Sequence, residues 1–411
     1  MNESGSAVPS PTAFPGTLRK ITETLAAELA CSTQRAPDWS DFEWQIARAV
    51  SAMHGVSPLL SKTLRWQGPV GWMTFLEEQR IHTATRHRRI AELLKHIDEL
   101  GRAMGIATVA LKGAALHAIG VYATGERPMA DIDLLVRPAD TERMARLLES
   151  MGYYEACVFW KERVFTPIVD RPPVGDFGEH SNNTVKIELH ERICERLPWR
   201  ITDVTGCVFP TQARPGLNAY PSTASLMIHL LLHAAGSMLN RALRLLHLHD
   251  LAQLSSRMTD ADWDEVLTHR GLSARLWWAF PPLHVASRYF SSRIPGRVLI
   301  ALAGDCPLVL NRISRRRTLY EVSYSYPRVV AFPGVEWAQS IREVLEYAVN
   351  RVRPSAEQIA LREYSAKSDA WASYNQWGRL SQGRRIVRWV TSRPPRAVTA
   401  HAVSAALRYA P

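Results

Sequence analysis

Apolar positions along the chain fall into three textures. From about Leu18 to Gly101 they recur at near-helical spacing: Trp44, Ala47, Val50 and Ala52 first, then a longer stretch opened by Trp72, Phe75, Leu76 and Gln79 that stops at Gly101, a helix-stop residue. The texture then shortens. Ile106–Leu111 reads as a buried strand, followed by Lys112-Gly113 and the small-residue segment AALHAIG, then a loop holding Gly125, Arg127 and Pro128, and a second strand over Ile132–Val136. Pro138–Met151 carries Met144, Leu147 and Leu148 at helical spacing and ends at Gly152; Tyr153–Trp160 suits a third strand. Thr184–His190 alternates strictly, with Val185, Ile187 and Leu189 on one side and Lys186, Glu188 and His190 on the other. From Pro221 the pattern is helical again, and in WAQSIREVLEYAV the residues Trp337, Ile341, Val344, Leu345 and Ala348 are expected to face a core.

These textures predict an α+β protein: a small mixed-sheet palm flanked by helical regions. The boundaries are a disordered N-terminus over 1–16, rich in Ser, Pro and Gly, an N-terminal helical region over 17–101, the palm over 102–220, and a helical C-terminal region over 221–411 with a basic end. No internal repeat is visible.

Length and composition fit this picture. The chain has 411 residues, enough for two or three domains, with 46% apolar and 22% charged residues, ordinary values for a globular protein. Five scattered cysteines, none in a C-x-x-C pair, argue against a disulfide framework or a zinc ribbon. The N-terminus lacks a signal peptide's basic and apolar regions, and no run approaches the roughly 20 apolar residues of a membrane span. Cytoplasmic placement is therefore expected. The net charge of +11 attracts nucleotides, nucleic acids and anionic membranes alike. Its late excess, in Arg312, Arg315-Arg316-Arg317, Arg379, Arg384, Arg385, Arg388, Arg393 and Arg396, reads mainly as a solvated face; nucleic acid is a possible partner but not the favoured one.

The chemistry concentrates in Asp131-Ile132-Asp133. In a strand, residues two apart share a face, so both carboxylates project together while Ile132 packs inward. Paired carboxylates repel unless a cation lies between them, and Mg2+ is a hard ion usually held by carboxylates and substrate phosphates. Glu188, on the polar face of the best downstream strand, supplies a third carboxylate. Two Mg2+ ions (Mn2+ is possible) about 4 Å apart would activate an attacking oxygen and neutralise a leaving pyrophosphate. Asp131 and Asp133 are expected to hold both ions, and Glu188 the catalytic one. A D-h-D string at a strand end also arises by chance, so the third carboxylate matters.

The string Leu111-Lys112-Gly113-Ala114-Ala115-Leu116, then Tyr122, then Arg127-Pro128-Met129-Ala130-Asp131-Ile132-Asp133-Leu134-Leu135-Val136, then Leu148 and Gly152-Tyr153, resembles the uncharacterised nucleotidyltransferase family of the polymerase-β-like superfamily. Ile187-Glu188-Leu189-His190 resembles that family's second carboxylate strand, and Leu230–Leu251, with His233 and Asp250, its region after the core. The resemblance covers roughly residues 40–270. It implies a nucleotide-binding palm, with ATP or another nucleoside triphosphate as substrate and transfer of a nucleoside monophosphate to a small-molecule, peptide or protein acceptor. In the superfamily a Gly-Ser turn touches the triphosphate; here Lys112-Gly113-Ala114 takes that place and no Ser follows the glycine. Lys112 then offers a point charge and Gly113 a close backbone approach to phosphate, against a plain strand-to-helix turn with an exposed lysine. Arg127 is expected either to clamp phosphate through its fork or to pair with Asp131 or another acid.

The departure from Gly-Ser also motivates the alternative of a catalytically silent nucleotide-binding scaffold. His190 shares the face of Glu188 and can look towards substrate; Lys186 can instead pair with Glu188. His229 and His233 lie one helical turn apart with no evident third zinc ligand and read as packing residues. His247 and His249 point about 200° apart on a helix, and Asp250 reads first as a surface or capping residue. No P-loop, dinucleotide fingerprint or nucleophile elbow is present. The acceptor is expected between the sheet and the Leu226–Leu251 helices, which can offer His233, Arg241, Arg244 and Asp250 to it.

Overall fold

The structure, a computed structural model, describes residues 14–168, 177–268, 276–356, 358–360, 380–392 and 394–409. The chain opens with helices α1 (Phe14–Ala30), α2 (Asp41–Met53), α3 (Ser57–Thr63) and α4 (Val70–Ala103). Ser40 starts α2 through a capping box with Glu43. Residues 14–16, assigned above to the disordered end, already belong to α1, because the Phe14 ring packs on Phe42 with centroids 6.4 Å apart. Residues 1–13 lie outside the described residues.

Helix α4 spans 34 residues, a rod of ~50 Å at 1.5 Å per residue. Its first half buries Trp72, Phe75 and Leu76 among the helical regions; its second half lays Ile90 and Ile97 on the sheet. Gly101 lies inside it. The stop is Gly105, which takes the left-handed conformation (φ +67°) that a side chain disfavours. Gly101 instead permits contact with the sheet edge: a Cβ there would sit 3.5 Å from the Gly216 Cα.

The palm follows: β1 (Ala107–Ala110), α5 (Lys112–Ala118), β2 (Asp131–Val136), α6 (Thr141–Ser150), β3 (Tyr153–Val158), β4 (Glu162–Pro167), β5 (Lys186–His190), a hairpin of β6 (Cys194–Arg196) and β7 (Ile201–Asp203), α7 (Thr205–Val208) and β8 (Gly216–Asn218). The main sheet has the order β3-β4-β5-β2-β1-β8, with β2 parallel to β5, β1 parallel to β8 and the other pairs antiparallel. One face (Ile132, Leu134, Val136, Ile187, Leu189) packs on α4 and α6. The other carries Asp131, Asp133, Glu188 and His190 and faces the helical body.

That body is continuous. Residues before and after the palm share one core, from Leu18, Trp44 and Trp72 to Leu231, Leu251, Trp337 and Ala406. Thr22 and His54 both bond the Ser325 hydroxyl, and His54 accepts the Leu245 N–H. Helices α8 (Thr223–Leu239) and α9 (Leu245–Ser255) form its wall against the palm. No helix among the described residues is long and apolar enough to cross a membrane.

One helix face departs from expectation. Ile341–Val352 is a helix, but Ser340 caps it and leaves Trp337 in a preceding turn, where Trp337 is buried. The side chain this helix buries is Glu343, held by Arg200 and the Gln339 N–H; Ile341 is 81% and Leu345 60% exposed, so its apolar face does not point into the core. Among the late arginines, Arg396 donates to the Ser323 and Arg241 carbonyls and Arg317 approaches Glu336. Arg379 and Arg393 lie outside the described residues.

Candidate active site

Parallel pairing of β2 with β5 places Asp131 opposite Lys186, Asp133 opposite Glu188 and Leu135 opposite His190. Alternation then puts Asp131, Asp133, Glu188 and His190 on one face, as the sequence pattern predicts. Asp133, Glu188 and His190 bring ligand atoms within 4.8 Å of one another. The approach to Asp131 is fixed from α4: buried Arg86 donates to the Met129 and Ala130 carbonyls and pairs with Glu179.

The face carries more negative charge than its neighbours neutralise. Lys112 Nζ lies 2.7 Å from Asp133 Oδ1, and His190 Nε2 lies 3.1 Å from the same oxygen. Burial alone would push the Asp133 carboxyl up; Lys112 and His190 outweigh it and hold Asp133 well below the carboxylate range. Asp131 is pushed up by burial and by Asp133, against Lys112 and Arg244. Glu188 is pushed well up by burial and by the charges of Asp131, Asp133 and Glu162. Glu162, on unpredicted β4, stands opposite His190 with Oε2 4.0 Å from its Nδ1. Lys112 is 19% exposed; burial disfavours its charge, but Asp133, Glu188 and Asp131 together raise its pKa. It is thus no exposed lysine. Its backbone takes the left-handed conformation, φ 47°, costly for a residue with a Cβ.

Gly113 also has a local packing cause. A Cβ there would sit 2.2 Å from Arg127 Nη1 and 2.9 Å from Met129 Cγ, so the glycine makes room for an arginine. Arg127 pairs with another acid, as one of its two expected roles allowed: Nε and Nη2 grip Asp250 at 2.9 and 2.7 Å, and Nη1 donates to the Pro128 carbonyl. Asp250 is therefore neither a surface nor a capping residue. It is buried, also accepts the Tyr122 hydroxyl at 2.8 Å, and ties α9 to the palm loop; the Tyr122 oxygen lies 2.9 Å from His249 Nδ1.

A cleft of about 230 Å³ runs between the carboxylate face and α8–α9. Lys112, Gly113, Ala114, Arg127, Asp131 and Asp133 line the palm side; His233, Arg244, His247 and Asp250 line the helical side, with Tyr324. Arg241 does not line it: it pairs with Glu336 at 3.2 Å and donates to the Glu321 carbonyl. Arg244 reaches across the Tyr324 ring, 5.5 Å from its centroid. His233 and His247 pack edge to face with centroids 4.8 Å apart. Burial holds both imidazoles neutral, reinforced for His233 by Lys112 and for His247 by Arg244. His229 Nδ1 lies 2.7 Å from the Tyr220 hydroxyl, and among the described residues His229 and His233 belong to no group of three potential ligands able to hold a metal. The sequence pattern does not mark His247 or Tyr324 as cleft residues: His247 comes from α9 and Tyr324 from the segment after Leu319–Val322, and only tertiary packing brings them to one cleft.

This chain belongs to the uncharacterised nucleotidyltransferase family, whose model matches residues 40–286, well over half its length and every cleft residue named above except Tyr324. No curated protein and no solved structure matches it. The donor set suits a divalent cation: carboxylate oxygens fit Mg2+, and the imidazole of His190 widens the choice to Mn2+.

Proposed function

We propose that the protein is a divalent-metal-dependent nucleotidyltransferase that moves a nucleoside monophosphate, AMP from ATP in the first instance, onto an acceptor bound against α8 and α9. The observation that carries this reading is the surplus of negative charge where β2 and β5 pair, which raises Glu188 and Asp131 despite the neighbouring Lys112. Such a surplus is costly unless a cation offsets it. Bound Mg2+ or Mn2+ would supply charge neutralisation at the reacting phosphate and activation of the attacking oxygen. Asp131, Asp133 and Glu188 would hold the ions, with His190 beside them. Lys112 would meet the triphosphate as a point charge, next to Gly113 and Ala114. Arg127, whose fork is engaged by Asp250, would shape this end of the cleft through its bulk and charge. Arg244, His233 and His247 would face the acceptor; the two neutral imidazoles can accept or donate one hydrogen bond each. The acceptor would be a small molecule, a peptide or a protein side chain. Cytoplasmic placement is proposed on the five free thiols.

The second reading is a nucleotide-binding scaffold without turnover. It is favoured by one observation: the Lys112 ammonium already partners Asp133, as a permanent substitute for a metal would. Pyrophosphate release from ATP with Mg2+ or Mn2+, across a wide acceptor panel, separates the two. The enzyme reading expects release that Asp133→Asn reduces at least ~10²-fold, with circular dichroism confirming that the variant is folded. Undiminished release from folded Asp133→Asn would sink the assignment, and ATP binding without release for any acceptor would favour the scaffold.

A further inference from the structure

The oxygen Asp133 Oδ1, expected to face a metal, already receives Lys112 Nζ at 2.7 Å and His190 Nε2 at 3.1 Å. A divalent ion entering this group must compete with the ammonium for the same carboxylate. Two facts set Lys112 apart from the other cleft cations. Arg127 is locked by Asp250 and the Pro128 carbonyl, and Arg244 lies across the Tyr324 ring. Lys112 hangs on a flexible four-carbon stem in the lining of the cleft, with a left-handed backbone and its ammonium on Asp133. A strained backbone that delivers a side chain to a cleft signals that the side chain is what the position needs.

We propose that Lys112 is a positioning residue that fills the cation's place while nucleotide is absent and moves to the triphosphate when it arrives, so that metal and nucleotide loading are coupled through one ammonium. This rests on the metal-dependent reading above. Without nucleotide, the ammonium neutralises part of the carboxylate charge and lowers metal affinity. A triphosphate offers it oxygens in exchange for Asp133, and the vacated carboxylate then takes the ion. By linkage, whatever nucleotide adds to metal affinity, metal adds to nucleotide affinity. A lysine that merely props the fold would show no such exchange.

The test is one substitution read in two assays on the full-length chain. Lys112→Met keeps the Cβ and the stem, so backbone strain and packing are nearly unchanged. Mn2+ binding to nucleotide-free protein, followed by the free-ion resonance signal, should be about tenfold tighter in Lys112→Met than in wild type, within the usual range of such couplings. ATP binding in EDTA should instead be about tenfold weaker in Lys112→Met, because the phosphate loses its ammonium. Opposite signs are the signature, since structural damage lowers both affinities. Equal or weaker Mn2+ binding in Lys112→Met overturns the exchange, as does unchanged binding of metal-free ATP. Absence of Mn2+ binding in both proteins, or Mn2+ binding that Glu188→Gln leaves intact, removes the metal site itself and the proposal with it.

Discussion

The two walls of the cleft handle buried charge in opposite ways. On the helical wall, Asp250 is met by the Arg127 fork and the Tyr122 hydroxyl, and Tyr122 in turn reaches His249. One acid meets one base with good geometry, and Arg127 Nη1, the Tyr122 hydroxyl and both His249 nitrogens also have partners. On the palm side, Asp131 and Asp133 line the cleft and share their sheet face with Glu188 and His190, with Glu162 nearby. Lys112 meets Asp133, and Lys161 lies 3.9 Å from Glu162 but is shared with Glu195. The acid of the helical side is matched, whereas the carboxylates of the palm side are left with negative charge to spare. A satisfied pair holds two parts of a fold together, whereas an unsatisfied cluster stores affinity for something that is to arrive.

The largest expected effect breaks the satisfied wall. Asp250→Ala leaves the Arg127 guanidinium buried and unpaired, and should cost about 3–5 kcal/mol of folding stability. The urea midpoint should fall with the slope unchanged. An unfolding free energy within about 1 kcal/mol of wild type would show that Arg127 finds another partner, and the contrast between the walls would lose its basis. Asp250 is therefore a poor probe of acceptor binding, although its place in the sequence suggested one. Arg244 is the better probe, because it lines the cleft without an ion pair within 4 Å among the described residues. Arg244→Met should raise the half-saturating concentration of any acceptor that supports pyrophosphate release about tenfold, a change of 1.4 kcal/mol, and leave that of ATP within about twofold. The reverse ratio would place Arg244 with the nucleotide.

Part of the palm's sheet face was legible in the sequence for a physical reason: strand alternation is local, so it puts Asp131 with Asp133 and Glu188 with His190. The pairing of the two strands was expected from the need for a third carboxylate and from the family resemblance. The fold class followed from the same kind of signal as the alternation, whereas the α8–α9 wall was expected because nothing within the palm strands offered a large specificity pocket. What escaped was set by partners far away along the chain. Arg127 and Asp250 are 123 positions apart, and neither neighbourhood announces the other. β4 and the three-residue β8 exist only because the sheet offers edges to pair with. That Gly113 also makes room for Arg127 depends on a contact that its own neighbours do not announce. The helix Ile341–Val352 has the right period for a core helix, but period does not say which side a core lies on, and here Glu343 turns inward.

The smallest expected effect sharpens the comparison from the palm side. The folded-state pKa of Glu188 lies above its unfolded value, because burial, Asp131, Asp133 and Glu162 all oppose its charge. A group of this sign contributes stability below its unfolded pKa of about 4.3 and loses that contribution as pH rises through the folded value. Asp133 has the opposite sign: its depressed pKa adds stability above the unfolded carboxylate range, and that part is lost only in acid. Removing the Glu188 charge should therefore act in one direction. In EDTA, Glu188→Gln should match wild type near pH 4 and become more stable by about 1–2 kcal/mol at pH 8, as neutral replacement of a poorly compensated buried charge often does. Mn2+ at pH 8 should stabilise wild type and leave Glu188→Gln unmoved, so the order of the two melting temperatures reverses with metal. Equal stability of the two proteins in EDTA from pH 4 to 8 would mean that Lys112 and His190 already balance the face, and the palm would then be a satisfied wall like its neighbour.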